Sequence, residues 1–320
     1  MNIAIINLCH EDPGIVARSA EKLTRHECFD VYVHVDLKSG IGPFVTALSG
    51  IPRVHFSEDR FKVYWGGFNA VRATVETLRQ ALKSPRDYRY FALLQNYDYP
   101  IRSNEHIISY FEQNNGSEFI RGCPIARTKD WHYSMKYKIY NRRDDNFYLA
   151  RHSKRRMYLR YAHMLAMSCA TIFSNGVLRD RDGRYELYYG AAQWAITRDL
   201  AEYFIGFYDS HPGFNSKMAH IQFPDEEYFH TVVHNSPFKY RCQKYDEPAR
   251  RWLVNWRNLH YFEHPGVITV FTEKDYDKIM AEDALFVRKV RTGVSDGLLD
   301  RIDSATGGNA AEAEAEDRSV

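Results

Sequence analysis

The sequence predicts an α/β chain with a doubly wound, mostly parallel sheet flanked by helices in a single large domain. Two observations carry this. Short apolar runs alternate with stretches of helical periodicity through the first third of the chain, the pattern of β-α-β units. Polar residues gather where those runs end: His10, Asp36 and the Gln95–Asp98 stretch. In open parallel sheets ligands bind beyond the carboxyl ends of the strands, so these residues mark the expected cleft.

The elements follow in order. Ile3–Leu8 is an apolar run interrupted only by Asn7 and fits a strand buried on both faces. Asp12-Pro13 supplies an N-cap and a proline at the first helical position, opening a helix to about His26. Val31–Val35 is a second strand, ending at Asp36, and Val54–Phe56 a third. Ala70, Val71, Val75, Leu78 and Leu82 place a helical stripe over about Phe68–Lys83. Tyr90–Leu94 is a strand, Asn104 caps a helix to about Glu112, and Glu118–Ile120 is a further strand. Later, Asp199–Tyr208 and Asp225–Val233 read as helices, Val267–Phe271 as a strand and Glu273–Met280 as a helix. From Ala305 the chain is low in complexity and expected to be disordered.

Composition narrows the function. With 320 residues and 44% hydrophobic content the chain can build a sizeable core. A net charge of +2 disfavours a nucleic-acid binder. Aromatic content of 15%, with 23 tyrosines, suits sugar-binding surfaces, where a ring face packs on C–H groups and a polar tip hydrogen-bonds. The cysteines Cys9, Cys28, Cys123, Cys169 and Cys242 are widely spaced and show no metal-ligand pattern, so reduced thiols and a cytoplasmic location are expected. Residues 2–9 are too short to cross a membrane and read as a strand rather than a leader. Between Arg127 and Arg160 eleven basic residues meet three acids, with tyrosines interleaved. That segment suits a cover over the cleft, a platform for an acidic substrate, a peripheral contact with anionic lipid, or simply a solvated face.

Three clusters could carry chemistry. Asp36, at a strand end, can accept a hydrogen bond from a nucleobase or ribose, or cap its own turn. Pro224-Asp225-Glu226-Glu227 opens a helix. Its acids either complement the helix dipole or present one carboxylate as a general base. Arg288 and Lys289 can neutralise charge on a departing diphosphate, or form a surface pair. Asp180-Arg181-Asp182 has the spacing of a metal-binding Asp-x-Asp, but its polar surroundings read as a solvated loop. Asn96-Tyr97-Asp98 is better placed and has one acid. No zinc is expected, and a dinucleotide oxidoreductase is disfavoured because no Gly-x-Gly-x-x-Gly follows the first strand.

The order of short motifs then matters more than any one of them. They run Val31-Tyr32-Val33-His34-Val35-Asp36, Tyr64-Trp65-Gly66-Gly67, Asp98-Tyr99-Pro100-Ile101-Arg102, Gly190-Ala191-Ala192-Gln193-Trp194, Pro224-Asp225-Glu226-Glu227-Tyr228 and Leu285-Phe286-Val287-Arg288-Lys289. In that order they resemble the core-2/I-branching enzyme family, which includes β-1,6-N-acetylglucosaminyltransferases and peptide O-xylosyltransferases. Phe229-His230-Thr231-Val232 and Asn235-Ser236-Pro237 are similar to the xylosyltransferase branch. The resemblance covers about residues 1–290 and suggests a bacterial member.

The resemblance implies a GT-A-like fold and an inverting, metal-independent transfer from a UDP-sugar, with UDP-xylose or UDP-N-acetylglucosamine favoured. The acceptor is expected to be a glycan or glycolipid, and no cofactor is expected. It implies Glu226 as the base, Asp36 as the uracil contact and Lys289 as the diphosphate ligand. His10, Trp65, Gly66, Asp98 and Arg288 join the donor side. Gln193, Trp194, Tyr137 and Arg142 are the acceptor candidates. The domain should span 1–304, with a nucleotide-binding half to about 125, a catalytic half over 126–304, and a tail over 305–320. One departure stands out: where some members carry a phosphate-binding arginine this chain has Gly266, so Arg288, Arg250, Arg251 or Arg257 must substitute, or donor handling differs. The alternatives are a metal-dependent transferase of another family and an inactive carbohydrate-binding relative.

Overall fold

The structure is a computed structural model that describes residues 1–127, 136–141, 144, 154–171, 176–242, 257–264 and 266–307. Its centre is a five-stranded sheet in the order β10-β4-β1-β2-β3. β1 (Asn2–Cys9), β2 (Phe29–Val35), β3 (Val54–Phe56) and β4 (Tyr88–Gln95) run parallel. The short edge strand β10 (Ala195–Thr197) lies antiparallel on β4.

The period of two along β1 divides the core. Ala4 and Ile6 face helix α3 (Asn69–Leu82) and join a cluster that includes Val71, Val75, Leu78 and Trp194. Ile3 and Ile5 face the other way, toward Val16 and Leu23 of α1 (Pro13–Thr24), Phe44 of α2 (Gly42–Leu48) and Phe111 of α4 (Asn104–Gln113). Both faces of the sheet are covered, as a doubly wound sheet requires.

A second, three-stranded sheet ties the C-terminal region to the end of β4. It comprises β11 (His260–Tyr261), β12 (Phe286–Arg288) and β5 (Asp98–Pro100), in the order β11-β12-β5. The register sets Arg288 directly opposite Asp98. Behind it, helix Asp296–Gly307 packs Leu298, Leu299 and Ile302 against Tyr99, Phe271 and Val287. Its Asp303 receives Arg18, Lys22 and the Tyr99 hydroxyl, at 2.8–3.0 Å.

Several expectations need correction. Glu118–Ile120 is not a strand. Glu118 and Phe119 make single bridges to Cys242 and Ala195. The fully buried Glu118 carboxylate is held by the Thr197 N–H at 2.8 Å and Arg241 at 3.1 Å. Asn104 does not cap α4. Ser103 does, accepting the His106 N–H at 3.2 Å, while the Asn104 amide donates to the Lys22 and Leu23 carbonyls at the end of α1. Asp225–Val233 is a 3-10 turn at Pro224–Glu226 followed by helix Tyr228–His234, broken at Glu227. Val267–Phe271 is irregular rather than a strand, because only Thr269 and Phe271 pair, with Glu263 and Lys289. Ala305–Gly307, expected in the tail, are helical, and residues 308–320 lie outside the described residues. All five cysteines are free thiols.

Candidate active site

A cleft of about 430 Å3 opens at the carboxyl ends of β1, β2 and β4, within the size range of small-molecule sites. The segments that follow β1, β2 and β4, the 63–66 turn, Asp225 and the second sheet line it. Asp36, one residue beyond β2, lies on its floor. The Asp36 carboxylate accepts the Lys38 N–H at 2.8 Å and the Val63 N–H at 3.3 Å, and pairs with the Lys38 ammonium at 3.1 Å. It therefore holds its own turn together while facing the cleft. Lys38 also donates to the Val63 carbonyl and sits 4.2 Å from the Tyr64 ring centroid. His10 is on the rim, where its backbone N–H and that of Glu11 both donate to the Asn96 side chain, at 2.8 and 2.9 Å.

The wall from the second sheet is cationic. Arg288 and Lys289 line the cleft. Behind Arg288, wholly buried, lies Asp98. Its carboxylate accepts Arg288 at 2.7 Å and the Gln95 N–H at 2.7 Å, with His260 at 3.4 Å. Burial alone would raise this carboxyl, but Arg288, His260 and the Gln95 amide together hold it below its ordinary value. Asp98 thus reaches the cleft only through Arg288, not as a direct donor contact. Lys289 is held in place by backbone bonds with Thr269 and Phe271. Burial, then Arg288 and Arg291, lowers its ammonium pKa.

Gly266 carries nothing to replace the expected arginine. Arg257 does not substitute: it donates to the Phe262 carbonyl, and its guanidinium stacks 4.4 Å from the Tyr261 ring centroid. Arg250 and Arg251 lie outside the described residues. Of the arginines named as substitutes, Arg288 lines the cleft, and Arg291 follows it three residues on. Arg291 was not among the sequence candidates. It donates to the Tyr97 hydroxyl at 2.9 Å and pairs with Glu11 at 3.3 Å. The alternation Lys289-x-Arg291 after an apolar strand was its signal. Lys38, two residues past Asp36, was missed likewise.

The opposite wall holds the acid turn, and its three carboxyls have different fates. Asp225 lines the cleft. Burial, and then the Glu226 charge, push its carboxyl up to about 7. Glu226 turns to the adjoining side, where it accepts the Tyr189 hydroxyl and the Lys136 ammonium, the latter at 3.3 Å. Lys136 also donates to the Tyr189 hydroxyl, at 2.7 Å. Glu227 is fully buried, and burial drives its carboxyl well above the ordinary range. The turn is braced from behind. The Gly190 N–H donates to the Glu226 carbonyl at 2.9 Å. A Cβ at Gly190 would meet the Arg121 carbonyl and the His230 ring at 2.3 Å, so the close approach requires glycine.

The acceptor candidates scatter. Gln193 donates to the cleft residue Gln95 at 3.0 Å. Trp194 does not face the cleft. It is 1% exposed and packs on Phe204 and Phe229 in the core. Tyr137 is likewise a core residue. Arg142 lies outside the described residues, as does much of the basic 127–160 segment. Trp65 and Gly66 do line the cleft. Asp180-Arg181-Asp182 forms the turn of a β7–β8 hairpin (Val177–Arg179, Arg184–Glu186), with the Asp180 carboxylate accepting the Asp182 and Gly183 N–H groups. Among the described residues no three His, Cys, Asp or Glu side chains cluster as a metal site, and no helix is long and apolar enough to cross a membrane.

A parallel-rich sheet covered by helices, with a polar cleft at its carboxyl edge, is the architecture of a GT-A-like glycosyltransferase fold. The profile of the Core-2/I-Branching enzyme family matches residues 8–280, and the chain belongs to that family. It is similar to xylosyltransferase 2 of Rattus norvegicus, 23% identical over 312 residues that cover 91% of this chain and 32% of the relative. Xylosyltransferase 2 of Homo sapiens is 24% identical over 301 residues, covering 88% and 31%. Xylosyltransferase 1 of Rattus norvegicus is 23% identical over 332 residues, covering 97% and 36%. The chain thus spans about a third of the length of these curated relatives.

Proposed function

We propose that this chain transfers a sugar from a UDP-sugar to a hydroxyl of a glycan acceptor, inverting the anomeric centre without a metal ion. The observation that carries the reading is the polarity of the cleft: Asp225, next to Glu226 in the acid turn, lines it together with Arg288 and Lys289. Glu226 removes the proton of the acceptor hydroxyl as that oxygen bonds to the anomeric carbon. The bond to UDP breaks on the opposite face, and its electron pair leaves with the diphosphate. Lys289 and Arg288 neutralise that charge, the task a metal performs elsewhere. Tyr189 and Lys136 fix the orientation of the Glu226 carboxylate. The xylosyltransferase relatives favour UDP-xylose, with UDP-N-acetylglucosamine next.

Screening UDP-sugars for slow donor hydrolysis tests the reading; a flat response to every donor would sink it. Turnover should survive EDTA, and a loss restored by Mn²⁺ would refute metal independence. A second reading is favoured by one observation. Asp225, not Glu226, lines the cleft, and its carboxyl sits at about 7, where a general base works best. Comparing Asp225→Asn with Glu226→Gln decides between them.

A further inference from the structure

Five of the eleven large apolar side chains left exposed among the described residues lie on one helix, Lys154–Thr171, and none of the five lines the cleft. They are Met157, Tyr158, Leu159, Tyr161 and Leu165, with Tyr158 67% and Leu165 71% exposed. Tyr158, Tyr161 and Leu165 follow one another at steps of three and four, so they share one face. A contiguous apolar face left in water marks an interaction surface.

The helix is fastened through other side chains. Ser168 Oγ accepts the Tyr140 N–H at 3.0 Å, and the His163 ring meets that of Tyr140 edge-on, with centroids 5.7 Å apart. Tyr140 in turn stacks on His220, centroid to centroid 4.3 Å. The next residue, Asn141, donates from its amide to the Gly66 carbonyl in the cleft wall at 3.1 Å. This short run ties the helix to the cleft and leaves the face of Tyr158 and Leu165 outward.

Charge names the partner. From Asn146 to Arg179 the sequence holds no Asp or Glu, against Arg151, Lys154, Arg155, Arg156, Arg160 and Arg179. The whole chain is only +2, so acids elsewhere balance this stretch and its positive charge is local. Arg155, in the first turn of the helix, is exposed. A soluble polyanion would use the cations and leave Leu159 and Leu165 in water. A second copy of the chain would bring two positive segments together. An anionic bilayer takes both features: headgroups meet the cations, while tyrosine and leucine side chains enter the interfacial layer. The helix would lie on that surface rather than span it, since no described helix is long and apolar enough to cross a membrane.

We propose that the outward face of helix Lys154–Thr171 docks on a membrane surface rich in anionic lipid, with Tyr158, Tyr161 and Leu165 in the interfacial layer and Arg155 among the headgroups. This goes beyond the transferase reading and does not depend on it. Docking of this kind, through the tie at Tyr140 and Asn141, holds the cleft beside a bilayer.

Vesicle binding tests it. The unaltered protein is sedimented with sucrose-loaded vesicles of phosphatidylcholine alone or with about one-third phosphatidylglycerol. The bound fraction should rise about fivefold or more with the anionic lipid and fall to the neutral level in about 0.5 M salt. The double variant Tyr158→Ser, Leu165→Ser and the single variant Arg155→Glu should each lower that binding about threefold or more. Their urea midpoints should match the parent, because all three side chains are exposed. Equal binding to both vesicle types, binding to neither, or binding that survives the double change overturns the docking. Retention of polyphosphate without vesicle binding gives the face to an acidic polymer instead. A dimer in sedimentation velocity that the double change dissolves, again without vesicle binding, gives it to a second copy. Anionic vesicle binding by a protein that hydrolyses no UDP-sugar would leave the docking standing and remove the transferase reading alone.

Discussion

The two walls of the cleft handle charge in opposite ways. On the second-sheet side an acid and a base face each other across a strand pair, and Asp98 is fully matched by Arg288, the Gln95 amide and His260. On the other side three acids follow one another in the chain, and two of them, Asp225 and Glu227, have raised carboxyl pKa values. Matched buried charge holds shape, because breaking it exposes an uncompensated ion. Crowded like charge works against stability and persists where it serves a site. The comparison separates the wall whose charges are matched from the wall whose acids the proposed transfer would use.

Four changes would break or sharpen that contrast, in falling order of effect. Asp98→Asn leaves Arg288 without its counter-charge, and the denaturation free energy should drop by about 3–5 kcal/mol; a drop under about 1 kcal/mol would mean the pair is not structural. Glu226→Gln should fold normally and lose at least about 100-fold in kcat, with Asp225→Asn milder. The reverse ranking moves the base to Asp225. Gly190→Ala forces a methyl against the Arg121 carbonyl and His230, and should cost about 1–3 kcal/mol in a urea melt. An unchanged midpoint would show that the strand behind the acid turn can shift.

The smallest effect is in pH. The Asp225 carboxyl is raised from 3.8 to about 7 in the fold, so the fold prefers its neutral form. That contribution is complete below about 4 and is lost as pH rises through about 7. Asp98 has the opposite sign. Its carboxyl is held below 3.8, so its contribution is present at neutral pH and fades in acid. Asp225→Asn should flatten the fall in unfolding midpoint between pH 4 and 7. Equal slopes in both proteins would mean the carboxyl titrates normally.

Legibility followed the same division. β1, β2, β4, α1, α3 and α4 were readable because each carries an apolar run or a helical stripe over seven or more residues, and the short β3 was named from its place in the β-α-β alternation. β5, β11 and β12 were not, since two- and three-residue strands carry no period and exist only through their partners. The cap of α3 was invisible too. The Asn69 N–H is satisfied at 2.8 Å by Asp144, distant in the chain. Among the site residues, Asp36, Lys289 and the acid turn could be named from motif order. Trp194 and Tyr137 could not be told from core aromatics, because residue type does not report which face a side chain takes.

By itself the sequence determined the alternating α/β plan, the family and the short motifs, all of which rest on local period and order along the chain. Tertiary structure alone decided which of three adjacent acids faces the cleft, which is paired and which is buried. It also decided that Asp98 supports Arg288 and that Trp194 is core while Trp65 lines the cleft. Those outcomes depend on desolvation and on partners from remote segments, and neither quantity is written at the residue itself.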